Sequence, residues 1–337
     1  MKYGRAISSA FSTLKSGSLW GFVASIYGAI TLLYVALFGG AIAIVGPSRL
    51  VELFNSPGSG GSDWIAPVLL LGGTLLLAML LVIPLSLIMH GGLVHLSDEI
   101  LANRPVTVGQ GWSFGASRMR RTFAIDFLVG LIVFGVMLVA LVPFGISVAG
   151  LAAGSGSGAS SGVAFGGICC GYLIFFLFAV ATSMLASGYE AVAIRYGLVG
   201  TRSAGQAMGA AWQAFKARWK DVVVFSLIVL GLQYTFSFAT SIVTGPMQFF
   251  LLPNAFTTGG STPSADQLPR FFVGFTVLMI VSIVITVPWV VFQYSLWSAF
   301  FRQLTGLEVV VAAPISSEPP SALAPEPPAA ENTPVDG

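Results

Sequence analysis

Charge is what this sequence has least of. Only 8% of its 337 residues are Asp, Glu, Lys or Arg, against 55% hydrophobic residues. A soluble domain carries about 25% charge, so the shortage excludes water as the main solvent of this chain. Histidine and cysteine are nearly missing, with two of each. Cys169 and Cys170 are neighbours in one apolar run, where adjacent helical side chains diverge. They suit a disulfide poorly and read as small packing residues. No HExxH, CxxC or comparable spacing occurs, so neither a metal nor a cofactor is expected. Walker A, GxSxG and a Gly-rich nucleotide fingerprint after a strand are absent too, and the reading is a protein that is not an enzyme. The basic residues are too few and too close to apolar runs for a nucleic-acid surface.

What the chain has in plenty is apolar length. The mean hydropathy is +0.89, and six runs, about 19–45, 66–89, 123–149, 164–188, 222–243 and 271–299, are each long enough to cross about 30 Å of hydrocarbon as a helix. Their continuity favours helices over barrel strands, which alternate apolar and polar residues. The fold expected is all-α, a polytopic membrane protein with one six-span domain over 1–306. A Pro/Ala/Glu-rich tail over 307–337 cannot bury apolar surface and is expected to be disordered. The connections SPGSGGS (56–62), AGSGSGASSG (153–162) and TGGSTPS (258–264) read as flexible linkers.

The fifteen Lys and Arg fall unevenly. Lys2, Arg5, Lys15, Arg104, Arg118, Arg120, Arg121, Arg195, Arg202, Lys216, Arg218, Lys220 and Arg302 lie at one set of span ends; Arg49 and Arg270 lie at the other. Positive residues in short loops stay cytoplasmic, so both termini are expected inside the cell.

Three stretches at the basic ends share a phrase: YGRAISSAFSTLK (3–15), VGQGWSFGASRMRR (108–121) and AGQAMGAAWQAFKAR (204–218). Aligning Gly4, Gly109 and Gly205 also aligns Leu14, Met119 and Phe215, and then Lys15, Arg120 and Lys216. Met208, Ala211, Trp212, Phe215 and Trp219 share one helical face, with Gln206, Gln213, Lys216 and Lys220 opposite. Each phrase is expected to be an amphipathic helix lying in the headgroup region before a hairpin of two spans, giving three repeats. Candidate lipid contacts, chiefly to anionic headgroups, are Lys15, Trp112, Arg118, Arg120, Arg121, Trp212, Lys216, Arg218, Trp219 and Lys220. GxxxG spacing at Gly162–Gly166 and Gly167–Gly171 suggests a close helix contact. Pro84, Pro143 and Pro288 are expected to kink their spans.

These phrases, together with GYEAVAIRYG closing the fourth span and SAGQAMGAAWQAFKARW after it, resemble the six-span membrane domain fused to some glycerophosphoryl diester phosphodiesterases, and related bacterial integral membrane proteins. The resemblance covers roughly residues 1–306. It implies a bacterial plasma membrane location. In the fused enzymes catalysis belongs to a separate soluble barrel, for which the segment after the sixth span leaves no room.

Ionisable and polar side chains at the inner span ends are the remaining candidates: His90, His95, Asp126, Tyr189, Glu190, Asp221 and Tyr294. His95 and Glu99 can share a helical face, while His90 lies about 140° round from His95. Asp98 and Glu99 are expected in solvent, pairing with Arg118 or Arg121, and Glu190 is expected to pair with Arg195 or with a basic residue on a neighbouring surface helix. Two functions follow. The first is a scaffold, a subunit for a membrane protein partner or a lipid-interacting module. The second is a transporter or channel for a small or amphipathic solute, with these residues lining its inner mouth.

Overall fold

The computed structural model describes residues 2–46, 65–154, 161–200, 202–251 and 267–306, without the side chains of 143–144, 146–154, 161–170, 249–251 and 267–272. The connections at 56–62 and 258–264, most of that at 153–162, Arg49 and the tail lie outside these residues. So do the side chains of Cys169, Cys170 and Arg270.

Among the described residues the protein is all-helical, and six helices are long and apolar enough to cross a membrane. The elements are α1 (Tyr3–Thr13), α2 (Gly17–Val45), α3 (Ile65–Leu101), α4 (Val108–Gly154), α5 (Ser161–Leu198), α6 (Ala204–Ala217), α7 (Trp219–Leu251) and α8 (Gln267–Leu304). The spans α2, α3, α4, α5, α7 and α8 contact one another in chain order, and α8 returns to α2 and also touches α3. Pro84 and Pro288 both sit inside unbroken helices.

The spans outrun the sequence estimate at their basic ends. At 1.5 Å per residue the 47 residues of α4 reach about 70 Å, more than twice the apolar thickness of a bilayer. The packing concentrates toward these basic ends. Leu19, Phe22, Val23 and Ile26 of α2 bury against Leu93 and Leu96 of α3 and Val287, Val290 and Val291 of α8. Phe225 of α7 stacks on Phe300 of α8 at 4.0 Å, with Trp297 edge-on at 5.0 Å. Toward the other end the same helices expose Leu69, Leu80, Phe134, Val139, Ile174 and Phe238. The molecule thus has a packed end, which carries the basic residues, and a splayed end.

Small residues set the packed-end spacing. A Cβ added at Gly92 would come within 2.6 Å of the Gly111 carbonyl oxygen, and one at Gly115 would run into the Ile88 carbonyl. Gly111 and Gly115 form a GxxxG pair that lets α3 and α4 cross backbone to backbone. Gly197 and Gly188 instead make room for side chains, Ile125 of α4 and Ser226 of α7. The turn from α3 to α4 is fixed by Asn103 at φ 58°, with Arg104 N–H donating to the Glu99 carbonyl at 2.9 Å. That is a Schellman stop with Asn in the left-handed position, and Pro105 follows it.

The three polar phrases adopt different structures. α1 and α6 are separate helices, whereas 108–121 is the uninterrupted start of α4, so no independent surface helix forms there. Thr107 and Gln110 cap α4 reciprocally, as Ser203 and Gln206 cap α6; Lys2 provides no side-chain cap to α1. A break at Arg218 separates α6 from α7, while nothing in 118–122 interrupts the α4 ladder. α1 is also docked: Ala6 and Ala10 are fully buried, and the helix packs on α8.

Candidate functional site

Four helices bring polar side chains together at the packed end. His90 projects from α3, Asp126 from α4, Glu190 and Arg195 from α5, and Tyr294 from α8. His90 Nδ1 lies 3.6 Å from Asp126 Oδ2, a polar contact too long for a hydrogen bond. The His90 ring sits 5.7 Å from that of Tyr294. Glu190 lies carboxyl to carboxyl against Asp126. These groups flank a cleft of about 210 Å³ between α3, α5 and α8, lined by His90, Glu190, Arg195 and Tyr294 with Ser187, Gln293 and Trp297.

Arg195 is the most buried charge, with 3% exposure. Its Nε donates to Ser298 Oγ at 3.3 Å, Nη1 to the Ala191 carbonyl at 2.8 Å and Nη2 to the Tyr294 carbonyl at 2.9 Å. All three acceptors are neutral. The expected pairing of Glu190 with Arg195 does not form: five helical positions place them about 140° apart around α5, and no ion pair within 4 Å joins them. Asp98 and Glu99 also choose other partners. Asp98 accepts from Arg302 Nη1 at 2.9 Å, tying α3 to α8, and Glu99 takes Arg104 at 3.1 Å across the Schellman turn.

The remaining inner-mouth candidates are tethers outside the cleft. His95 stacks on Phe114 at 4.1 Å. Tyr189 donates to the Met208 carbonyl at 3.0 Å, pinning α6 to α5. Asp221 accepts from the Tyr3 hydroxyl at 2.9 Å, pinning α1 to the start of α7. Burial, and then the bond to Asp221 and its charge, hold the Tyr3 phenol above its ordinary pKa.

The lipid-contact candidates divide similarly. Trp112 donates to Ser25 Oγ at 3.0 Å and meets Phe22 edge-on, so it faces protein. Arg121 donates to the Gly197 carbonyl at 2.9 Å. Lys15, Arg120, Trp212, Lys216, Arg218, Trp219 and Lys220 are exposed, and Arg118 is half-buried with its guanidinium 5.8 Å over the Phe114 ring. The α6 face toward the protein is the small one, Ala207 and Ala211, which leaves Trp212 outside.

Sequence reasoning missed Arg195, Gln293 and Ser187 as parts of one cleft. Arg195 had a signal: it is a cation five residues past Glu190 in an otherwise apolar segment, which warrants a buried role. Gly111–Gly115 was also readable from spacing. At the splayed end an apolar cavity of about 680 Å³ lies between α2 and α8, lined by Tyr34, Phe38, Ile42, Phe275 and Met279. Among the described residues no group of three His, Cys, Asp or Glu is placed to hold a metal.

No protein-family model matches the chain, and no curated protein or solved structure is significantly similar to it. The six apolar helices identify a multi-pass integral membrane protein.

Proposed function

We propose that the chain is a non-enzymatic, lipid-interacting module of the bacterial plasma membrane, with the packed end and both termini on the cytoplasmic side. One observation carries this reading: a rim of cations stacked on exposed aromatics at the packed end. Lys216 Nζ sits 5.1 Å over Trp212, which is 50% exposed, and Lys220 Nζ sits 5.9 Å over Trp219, which is 53% exposed. Neither lysine has an acidic partner among the described residues. Amphipathic rings at headgroup depth with unpaired cations beside them suit an anionic leaflet, at about 1 kcal/mol per cation. On this reading α6 is the lipid-facing surface helix, α1 being docked on α8 and 108–121 running on into its span, and a membrane protein partner would join through the exposed spans.

The triple replacement Lys216→Glu, Arg218→Glu and Lys220→Glu tests it. In nanodiscs of phosphatidylglycerol, hydrogen exchange of α6 should rise in the variant, and in phosphatidylcholine it should not. Equal exchange of parent and variant in the anionic discs would refute the reading. The cleft and the apolar cavity favour a second reading, a transporter of an amphipathic solute. Solute or lipid flux into liposomes carrying only this protein separates the two.

A further inference from the structure

Glu190 and Arg195 line one small cleft with opposite charges that do not meet. Among the described residues Arg195 has no counter-ion within 4 Å, while Glu190 shares a hydrogen bond with the carboxyl of Asp126. Arg195 is a buried cation whose three hydrogen bonds all go to neutral oxygens. A guanidinium has five N–H donors, so two remain. Glu190 lies against a second carboxyl, Asp126, and both Asp126 Oδ1 and the His90 Nδ1 that faces Oδ2 at 3.6 Å are buried without a hydrogen-bond partner. A buried cation without a counter-ion and two adjoining carboxyls sharing one imidazole are both costly arrangements. A single ligand with a positive and a negative group would relieve both.

We propose that the cleft between α3, α5 and α8 binds a dipolar headgroup, its ammonium against Glu190 and its oxyanion against Arg195. Ser187 marks the mouth. It is exposed, and it stands one turn from Glu190 toward the splayed end, where α5 presents Ser183 and Phe176 outward. A volume of about 210 Å³ admits a headgroup and leaves acyl chains outside along α5. Phosphatidylethanolamine carries the required chemistry, and so does a free dipolar ion such as phosphoethanolamine. The site rests on the lipid-interacting reading and supplies a headgroup that the cationic rim alone does not select.

Native mass spectrometry of the full chain in mild detergent tests this, with phosphatidylethanolamine, phosphatidylglycerol and phosphoethanolamine as probes. Phosphatidylethanolamine should bind roughly tenfold more tightly than phosphatidylglycerol, which lacks the ammonium. Glu190→Gln should abolish that preference and leave phosphatidylglycerol retention unchanged. Ser187→Trp blocks the mouth without touching a charged group, and it should lower phosphatidylethanolamine binding similarly. Phosphoethanolamine binding that is equally sensitive to Glu190→Gln would uphold the dipolar site and assign it a soluble ligand. Equal binding of the two lipids, or a preference that survives both substitutions, overturns the proposal. If phosphatidylglycerol retention is then still lost in the Lys216, Arg218 and Lys220 variant, the rim reading stands while the cleft proposal falls.

Discussion

Glycine behaves in two ways along the same helices. At the packed end Gly92, Gly111, Gly115, Gly188 and Gly197 each sit where an added Cβ would strike a neighbouring helix. At the splayed end Gly39, Gly40, Gly72 and Gly73 have nothing within 4 Å of that position. Large residues divide alike: Phe225 and Phe300 are 0% and 1% exposed, and Phe238 of the same α7 is 71% exposed. Apolar character does not separate the two ends. An apolar side chain in lipid gains little by moving to protein, so helices associate where backbones approach closely and polar groups find partners. The packed end has both, in its glycine crossings and in bonds such as Asp98–Arg302 and Arg195–Ser298.

The largest expected effects come from truncating matched aromatics at the two ends. Phe300→Ala removes a ring stacked on Phe225 at 4.0 Å and should cost about 2–4 kcal/mol. Phe238→Ala should stay within about 0.5 kcal/mol. Unfolding of both variants in detergent measures the gap, and equal losses would erase the distinction between the ends. A smaller contrast lies within α4 alone. Gly115→Ala drives a Cβ into the Ile88 carbonyl and should cost about 1–3 kcal/mol. Gly130→Ala, with open space around it, should be neutral or gain a few tenths of a kcal/mol from helix propensity.

Much of this architecture was legible in the sequence because span length and hydropathy are one-dimensional properties. The helices at 65–101 and 219–251 follow from their apolar runs, the first overshooting chiefly at its packed end and the second chiefly at its other end. What was not legible was whether a polar phrase would break from its span. Residues 108–121 and 204–217 begin with the same capping box, yet only the second ends before its span does, at Arg218. Gly111 and Gly115 account for part of the difference, because their crossing with α3 needs a straight helix through that region. The cleft was half legible. His90, Asp126, Glu190 and Tyr294 stood out as polar groups near span ends, but their convergence depends on helix rotation, which no local pattern encodes. His95, Tyr189 and Asp221 have the same composition signal and face elsewhere for that reason.

The finest test of the packed end concerns α1, which is not a span itself but is held on α7 and α8. Tyr3→Phe removes the hydroxyl that donates to Asp221 at 2.9 Å and keeps the ring, which lies 6.4 Å from that of Phe225. The loss should be about 1 kcal/mol, read as faster hydrogen exchange across Tyr3–Thr13 with α7 unchanged. Acceleration in both helices would mean that α1 and the bundle open as one unit. The parent bond also has a defined pH sign. The Tyr3 phenol is held above its ordinary value of 10.0 by burial and by Asp221, so its contribution is complete below about pH 10 and declines as pH rises through the elevated folded value. Protection of α1 should therefore be flat from pH 6 to 9 after correction for intrinsic exchange. Above pH 10 it should fall in the parent and not in Tyr3→Phe, since only the parent has a phenol to ionise beside a carboxylate.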